Sequence, residues 1–213
     1  MGLSVMEKES ASQVERLVRS IEGVELPRLV LASASPRRAE ILRGVGWEFE
    51  VEAANIDESE REDESATNYV ERLAHEKAEA VARTRLFGLV LGADTTVVVD
   101  EAILAKPEDD EDARRMLRLL RGRWHEVLTG VALVRAEDGR ACVAHERTRV
   151  RFREMSDAEI DWYVSTGEYA DKAGAYAVQG RAALFIEGIE GDYWNVVGLP
   201  VRLVYELAKS FES

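Results

Sequence analysis

Strand-type and helix-type patterns mix along the whole length of this chain, and that mixture constrains the fold more than any single motif does. RLVLAS (28–33) reads as a short buried strand, and WEFEVEAA (47–54) alternates like a half-buried one. Between them, Ser35 stands as N-cap and Pro36 as first residue of a helix that stops near Gly44 and Gly46. Asn68 to Thr84 is a strongly amphipathic helix. LVLGADTTVVVD (89–100) reads as an apolar strand interrupted at Gly92 and Asp94, with a second arm turning into a hairpin that ends at Lys106-Pro107. EDARRMLRLL (111–120) puts Ala113, Met116, Leu117 and Leu120 on one helical face. Residues 126–152 are two long strands around a Glu-Asp-Gly turn. Ser156 and Glu159 make a capping box that opens another helix. Residues 171–200 are Gly-rich with short strands, and Gly198 to Phe211 closes as a helix. The class is therefore α/β or α+β with a mixed sheet.

The 213 residues suffice for one domain, residues 28–213, preceded by an N-terminal extension over 1–27. Val14, Leu17, Val18 and Ile21 give that extension a short amphipathic helix, and Pro27 separates it from the body. The net charge is −13, which argues against binding nucleic acid or anionic membranes. No apolar run reaches the roughly 18 residues of a membrane span. Cys142 is alone, and the first residues lack a signal-peptide core, so the expected setting is reduced and cytoplasmic.

Against so acidic a background, clustered cations stand out. LASASPRRAEIL (31–42) loads Arg37 and Arg38 onto the positive end of a helix dipole. They either pair with acids such as Glu40 or join the Ser33 and Ser35 hydroxyls and the helix N–H groups around phosphate oxygens. At about 100° per residue, Lys77 falls near the middle of the apolar stripe of Val70, Leu73, Ala74, Ala80 and Val81, so it either snorkels out or meets an anion. Asp94, between two apolar runs, needs hydrogen bonds, a cation or a metal. It either caps a strand turn, with Thr95 and Thr96 beside it, or serves as a catalytic acid at a strand end. In DKAGAYAVQG (171–180), Gln179 offers a donor and an acceptor to an amide-like base edge, and Tyr176 offers a stacking face. Read singly, Lys106 is a surface lysine and Glu58 one acid in a solvated loop. His75, His125 and His145 lack metal-ligand spacing, and no Ser/His/Asp system is evident.

LASASPRRAEIL, ERLAHEKA, LGADTTVVVD, LAKP, LTGVAL, DKAGAYAVQG and GDYWNVVGLPV together resemble, in order and spacing, the Maf family of nucleoside triphosphate pyrophosphatases, over residues 28 to about 210. The resemblance implies an inosine-triphosphatase-like α/β fold: an elongated mixed sheet flanked by helices, with a cleft between two lobes. It implies hydrolysis of a nucleoside triphosphate to monophosphate and pyrophosphate with a divalent cation, Mg²⁺ or Mn²⁺. Arg37, Thr95 and Gln179 match the branch that prefers dTTP and UTP rather than 7-methyl-GTP. By the same matching Asp94 is the proton acceptor, Ser33, Arg38, Lys77 and Lys106 hold phosphate, and Asp94 with Glu58 face the metal. A homodimer is a further implication, and a nucleotide-binding regulator of septum formation without turnover is the competing role.

Overall fold

The computed structural model describes residues 26–211. The helix expected around Val14–Ile21 lies outside the described residues. β1 (Leu29–Leu31), β2 (Phe49–Val51), β3 (Leu89–Val99), β4 (Ala102–Leu104), β5 (Trp124–Arg135), β6 (Ala141–Phe152) and β7 (Ile186–Glu190) form one mixed sheet. Its order is β2-β1-β3-β5-β6-β7, with β4 paired to β3. The β1–β2 and β1–β3 pairs are parallel and the remaining pairs antiparallel.

β3 decides where the site can be. One edge pairs with β5 from Leu89 to Val98. The other edge pairs with β1 over Leu89–Leu91 and with β4 over Val97–Val99. The backbone between these partners faces a notch, just past the C-terminal end of β1. A ligand has access there to the middle of a buried strand, as it does where parallel strands part in open α/β sheets. The expected break at Gly92 and Asp94 is absent, because pairing with β5 carries the strand straight through both residues.

α2 (Ala66–Ala82) covers one face, packing Ala74, Ala78 and Val81 on Val90 and Ala132, and Val70 and Leu73 on Val98 and Leu128. Two glycines let it approach. A Cβ on Gly92 would stand 2.0 Å from the Ala74 carbonyl oxygen, and one on Gly130 would stand 2.1 Å from that of Val70. The other face carries two cores. α1 (Pro36–Gly44), α5 (Tyr193–Val197) and α6 (Val201–Lys209) enclose Leu29, Leu31, Leu91 and Leu133. α3 (Asp110–Leu120) and α4 (Asp157–Ser165) enclose Val97, Val127, Phe152 and Tyr163. Two lobes on one sheet, with a cleft between them, are the expected architecture.

Several boundaries differ from the sequence reading. α2 starts at Ala66, two residues early, because the Ser65 hydroxyl accepts the Asn68 N–H. Residues 171–200 hold two 3₁₀ turns (Ala173–Ala175 and Arg181–Leu184), one strand and α5 rather than several short strands. The closing helix starts at Val201 rather than Gly198, and Gly198, whose φ of 123° suits glycine, parts it from α5. Ser35 is the N-cap of α1 by backbone position, but its side chain makes no capping bond. The capping box of Ser156 and Glu159 is present in full.

Candidate functional site

The notch opens into a cavity of about 510 Å³. Every residue that the family resemblance assigns to the site lines it. Ser33, Arg37 and Arg38 come from the β1–α1 turn, and Glu58 from the loop after β2. Lys77 comes from α2, Asp94 and Thr95 from β3, Lys106 from the segment after β4, and Gln179 from the loop before β7. The cavity draws on most of the chain, which local patterns by themselves do not show.

Strand alternation sorts the two central side chains of β3. Asp94 points to the α2 side, like Val90, and Thr95 points to the cleft between the lobes. The Lys77 ammonium donates to Asp94 Oδ1 at 2.6 Å and lies 2.9 Å from Glu58 Oε1. It therefore does not snorkel: it stays on the covered side of its helix, 8% exposed, and meets two carboxylates. Burial pushes the Glu58 carboxyl up, but the Lys77 hydrogen bond and the charges of Lys77, Lys106 and Arg38 hold it below its ordinary range.

The two arginines diverge. Arg38 turns inward, donating from Nε to the Gly198 carbonyl (2.9 Å), from Nη1 to Ser33 Oγ (3.1 Å) and from Nη2 to Thr95 Oγ1 (3.2 Å). Desolvation lowers its pKa while the Asp94 carboxylate opposes that drop. The network runs on: Thr95 Oγ1 lies 2.9 Å from Thr129 Oγ1, which donates to the Asn195 carbonyl at 3.2 Å. Ser33 Oγ also accepts the Ser35 N–H, taking up a helix-terminal donor that Ser35 leaves free. Arg37 turns to the opposite lobe, where Nη1 lies 3.8 Å from Asp171 Oδ2. Neither guanidinium pairs with Glu40.

The sequence reading missed Tyr69, Arg72, Asp171 and Lys172. Tyr69 donates from its hydroxyl to the Glu58 carbonyl at 3.0 Å, and burial, with Asp94 and Glu58 nearby, lifts its phenol to about 12. Arg72 donates to the Ser59 carbonyl at 3.1 Å and to Glu64. Both belong to the helix that carries Lys77. Tyr69, eight residues before it, is found by helical spacing, whereas Arg72, five residues before it, lies well round the helix and gives no such signal. Asp171 and Lys172 lie in DKAGAYAVQG and pair with each other at the cavity rim. Arg37, Arg38, Lys77, Lys106 and Lys172 surround the cavity against Glu58, Asp94 and Asp171, so the pocket is basic inside an acidic molecule.

A cavity of this size, with cations around it and a carboxylate at its floor, fits a polyanion whose bond is cut by water. Among the described residues no group of three or more His, Cys, Asp or Glu side chains is placed to hold a metal. The available donor set is Glu58 and Asp94. Mg²⁺ is commonly held by one or two carboxylates plus substrate phosphates, so this pair fits an ion shared with a nucleotide. No helix among the described residues is long and apolar enough to cross a membrane.

Comparison with known proteins covers the same part of the chain. A family model described as Maf-like protein matches residues 28–211. The dTTP/UTP pyrophosphatase of Hahella chejuensis (strain KCTC 2396) is 55% identical over 187 residues, covering 86% of this chain and 92% of that one. That of Symbiobacterium thermophilum is 52% identical over 186 residues, covering 87% and 95%. Among solved structures, the Ham1 protein of Staphylococcus aureus superposes with a TM-score of 0.51 at 14% identity, covering 86% of this chain and 99% of that one. A HAM1 protein from Coxiella burnetii gives 0.50 at 15%, covering 87% and 100%. At such identities these two speak for the fold alone, and they agree with the inosine-triphosphatase-like architecture.

Proposed function

The chain belongs to the Maf-like protein family, and from that premise we propose that it is a nucleoside triphosphate pyrophosphatase that hydrolyses dTTP and UTP to the monophosphate and pyrophosphate. The observation that carries the mechanism is the placement of Asp94 on the floor of a basic cavity, 2.6 Å from a lysine.

In this reading the triphosphate lies along the cations. Lys106, Lys77, Arg37 and the Arg38 N–H groups not spent on protein partners balance its charge, and Ser33 marks the phosphate end of the β1–α1 turn. Asp94 orients the attacking water and accepts its proton. The oxygen of that water bonds to the α-phosphorus, the bond to the bridging oxygen breaks, and pyrophosphate leaves with that oxygen. Mg²⁺ or Mn²⁺, held through Asp94 and Glu58, supplies charge neutralisation for the leaving phosphates. Gln179, at the exposed rim of the cavity, offers its amide to the pyrimidine edge, and Thr95 acts on base choice through Arg38. Arg37, reaching toward Asp171 in the opposite lobe, closes the site from that side. A cytoplasmic setting and a homodimer complete the reading.

The test is product analysis of the purified full chain with dTTP, UTP, CTP and 7-methyl-GTP in the presence of Mg²⁺. The expected products are dTMP and pyrophosphate from dTTP, UMP and pyrophosphate from UTP, and slower turnover of the other two. Orthophosphate with dTDP overturns the site of cleavage. Preference for 7-methyl-GTP overturns the base assignment, and binding without any product favours a regulator.

A further inference from the structure

The Lys77 ammonium sits between two carboxylates from separate parts of the chain, Asp94 on β3 and Glu58 on the loop after β2, at 2.6 and 2.9 Å. This is where a divalent ion bridging the same pair would have to stand. We propose that Lys77 is the resident counter-cation of the site: it fills the metal position in the free protein, so the ion is admitted only together with a triphosphate. The inference deepens the proposed function and rests on it.

Three features support it. The first is that the two carboxylates are delivered by the protein rather than by the ammonium. Asp94 is fixed in a strand whose pairing with β5 runs straight through it. Glu58 is held from the backbone, because Tyr69 donates to its carbonyl and Arg72 to that of Ser59. Without the ammonium, two like charges would face each other at the edge of a buried strand, which is unfavourable unless a cation intervenes. Substitution of Lys77 by a neutral side chain therefore leaves a ready pair of oxygen donors.

The second is that a free ion has little to gain. It would have to displace an ammonium held by two charge-assisted contacts, to an Asp94 side chain 11% exposed and a Glu58 side chain 46% exposed. It would also enter the field of Lys106 and Arg38, both close enough to act on Glu58. Two carboxylates without phosphate oxygens do not complete the coordination Mg²⁺ requires.

The third is that a triphosphate changes both sides of that balance. It supplies the missing oxygen ligands, and it gives the displaced ammonium a new anionic partner in the same cavity. Ion and nucleotide therefore bind with positive coupling, and each raises the affinity of the other by the same factor. The position of Lys77 on the apolar stripe of α2, which costs desolvation, has its explanation here: from that face of the helix the side chain spans both carboxylates.

The experiment is a titration of the full chain with Mn²⁺, followed by the loss of the free-ion electron paramagnetic resonance signal, without nucleotide. Wild type should show no saturable binding below the millimolar range. A non-hydrolysable α,β-imido analogue of dUTP should tighten its apparent Mn²⁺ affinity about tenfold or more beyond that of the analogue alone, as positive coupling requires. Lys77→Met should bind Mn²⁺ without nucleotide about tenfold or more tightly than wild type, since the two carboxylates are then free, and a further Glu58→Gln change should abolish the gain. Micromolar Mn²⁺ binding by wild type alone overturns the proposal, as does a folded Lys77→Met protein that binds no better than wild type. If Lys77→Met does not fold, the two wild-type titrations decide the matter. The nucleotide-free titrations involve no turnover, so they stand or fall separately from the product analysis that tests the pyrophosphatase reading.

Discussion

Lys77 and Asp94 are 17 residues apart in the chain, and their side chains meet at 2.6 Å between α2 and β3. The contact depends on how closely the helix lies on the sheet. That closeness depends on Gly92 and Gly130, which flank Asp94 along β3 and across on β5.

Gly130→Ala is therefore expected to damage both stability and activity. The new Cβ would stand 2.1 Å from the Val70 carbonyl oxygen and 2.3 Å from its carbon, atoms of helix backbone that cannot rotate away. Lifting α2 should cost about 1–3 kcal/mol, as overpacking does. Urea denaturation should show a lower midpoint, and kcat for dTTP should fall in the protein that remains folded. Unchanged stability would mean that α2 yields without loss.

Asp94→Asn removes the proposed proton acceptor while keeping its shape. Turnover of dTTP should drop by roughly 10²–10⁴-fold, the range for loss of a general base. Pyrophosphate release under saturating substrate checks this, with circular dichroism confirming the fold. Near wild-type turnover would remove Asp94 from the chemistry.

Gln179→Glu should shift base choice rather than rate alone. The amide donor becomes an acceptor, so a partner built for the donor goes unpaired. The ratio of kcat/KM for dTTP to that for 7-methyl-GTP should fall. A constant ratio with a uniformly lower rate assigns Gln179 no part in discrimination.

His125 predicts a pH dependence. It is buried, its Nε2 lies 2.8 Å from the Tyr176 hydroxyl, and its Nδ1 has no partner among the described residues. Burial pushes its pKa down to about 3 from the ordinary 6.5. Between those values the unfolded chain binds a proton that the folded protein refuses, so stability falls as pH falls below 6.5. One such proton gives a slope of about 1.4 kcal/mol per pH unit. His125→Gln should remove that slope between pH of about 6 and 5, above the range where carboxylates dominate. Denaturant unfolding at several pH values measures it, and an identical slope in wild type and variant contradicts the assignment.

Much of the fold was legible because its signals are local. The stripe of α3, the capping box of α4 and the turn with Gly139 between β5 and β6 all act within a few residues. The misreadings occurred where distant partners overrule local preference. Gly92 and Asp94 look like a strand break, yet β5 pairs across both. Ser35 is the N-cap of α1 as its position suggests, though its side chain makes no capping bond and its N–H goes to the Ser33 hydroxyl.

The same division holds for the site. The sequence alone determined which residue types were available and which were costly where they stood: a lysine on an apolar stripe, a carboxylate in an apolar strand, two cations at a positive helix end. Each of these is an unbalanced charge or an unpaired polar group, visible without coordinates. Only the tertiary structure decided how they balance. Lys77 went to Asp94 and Glu58, Arg38 to Gly198, Ser33 and Thr95, and Arg37 across the cleft toward Asp171. The physical reason is range. Desolvation cost is a property of one position in one element, whereas the partner that offsets it is chosen by strand order, helix approach and the notch left open beside β3.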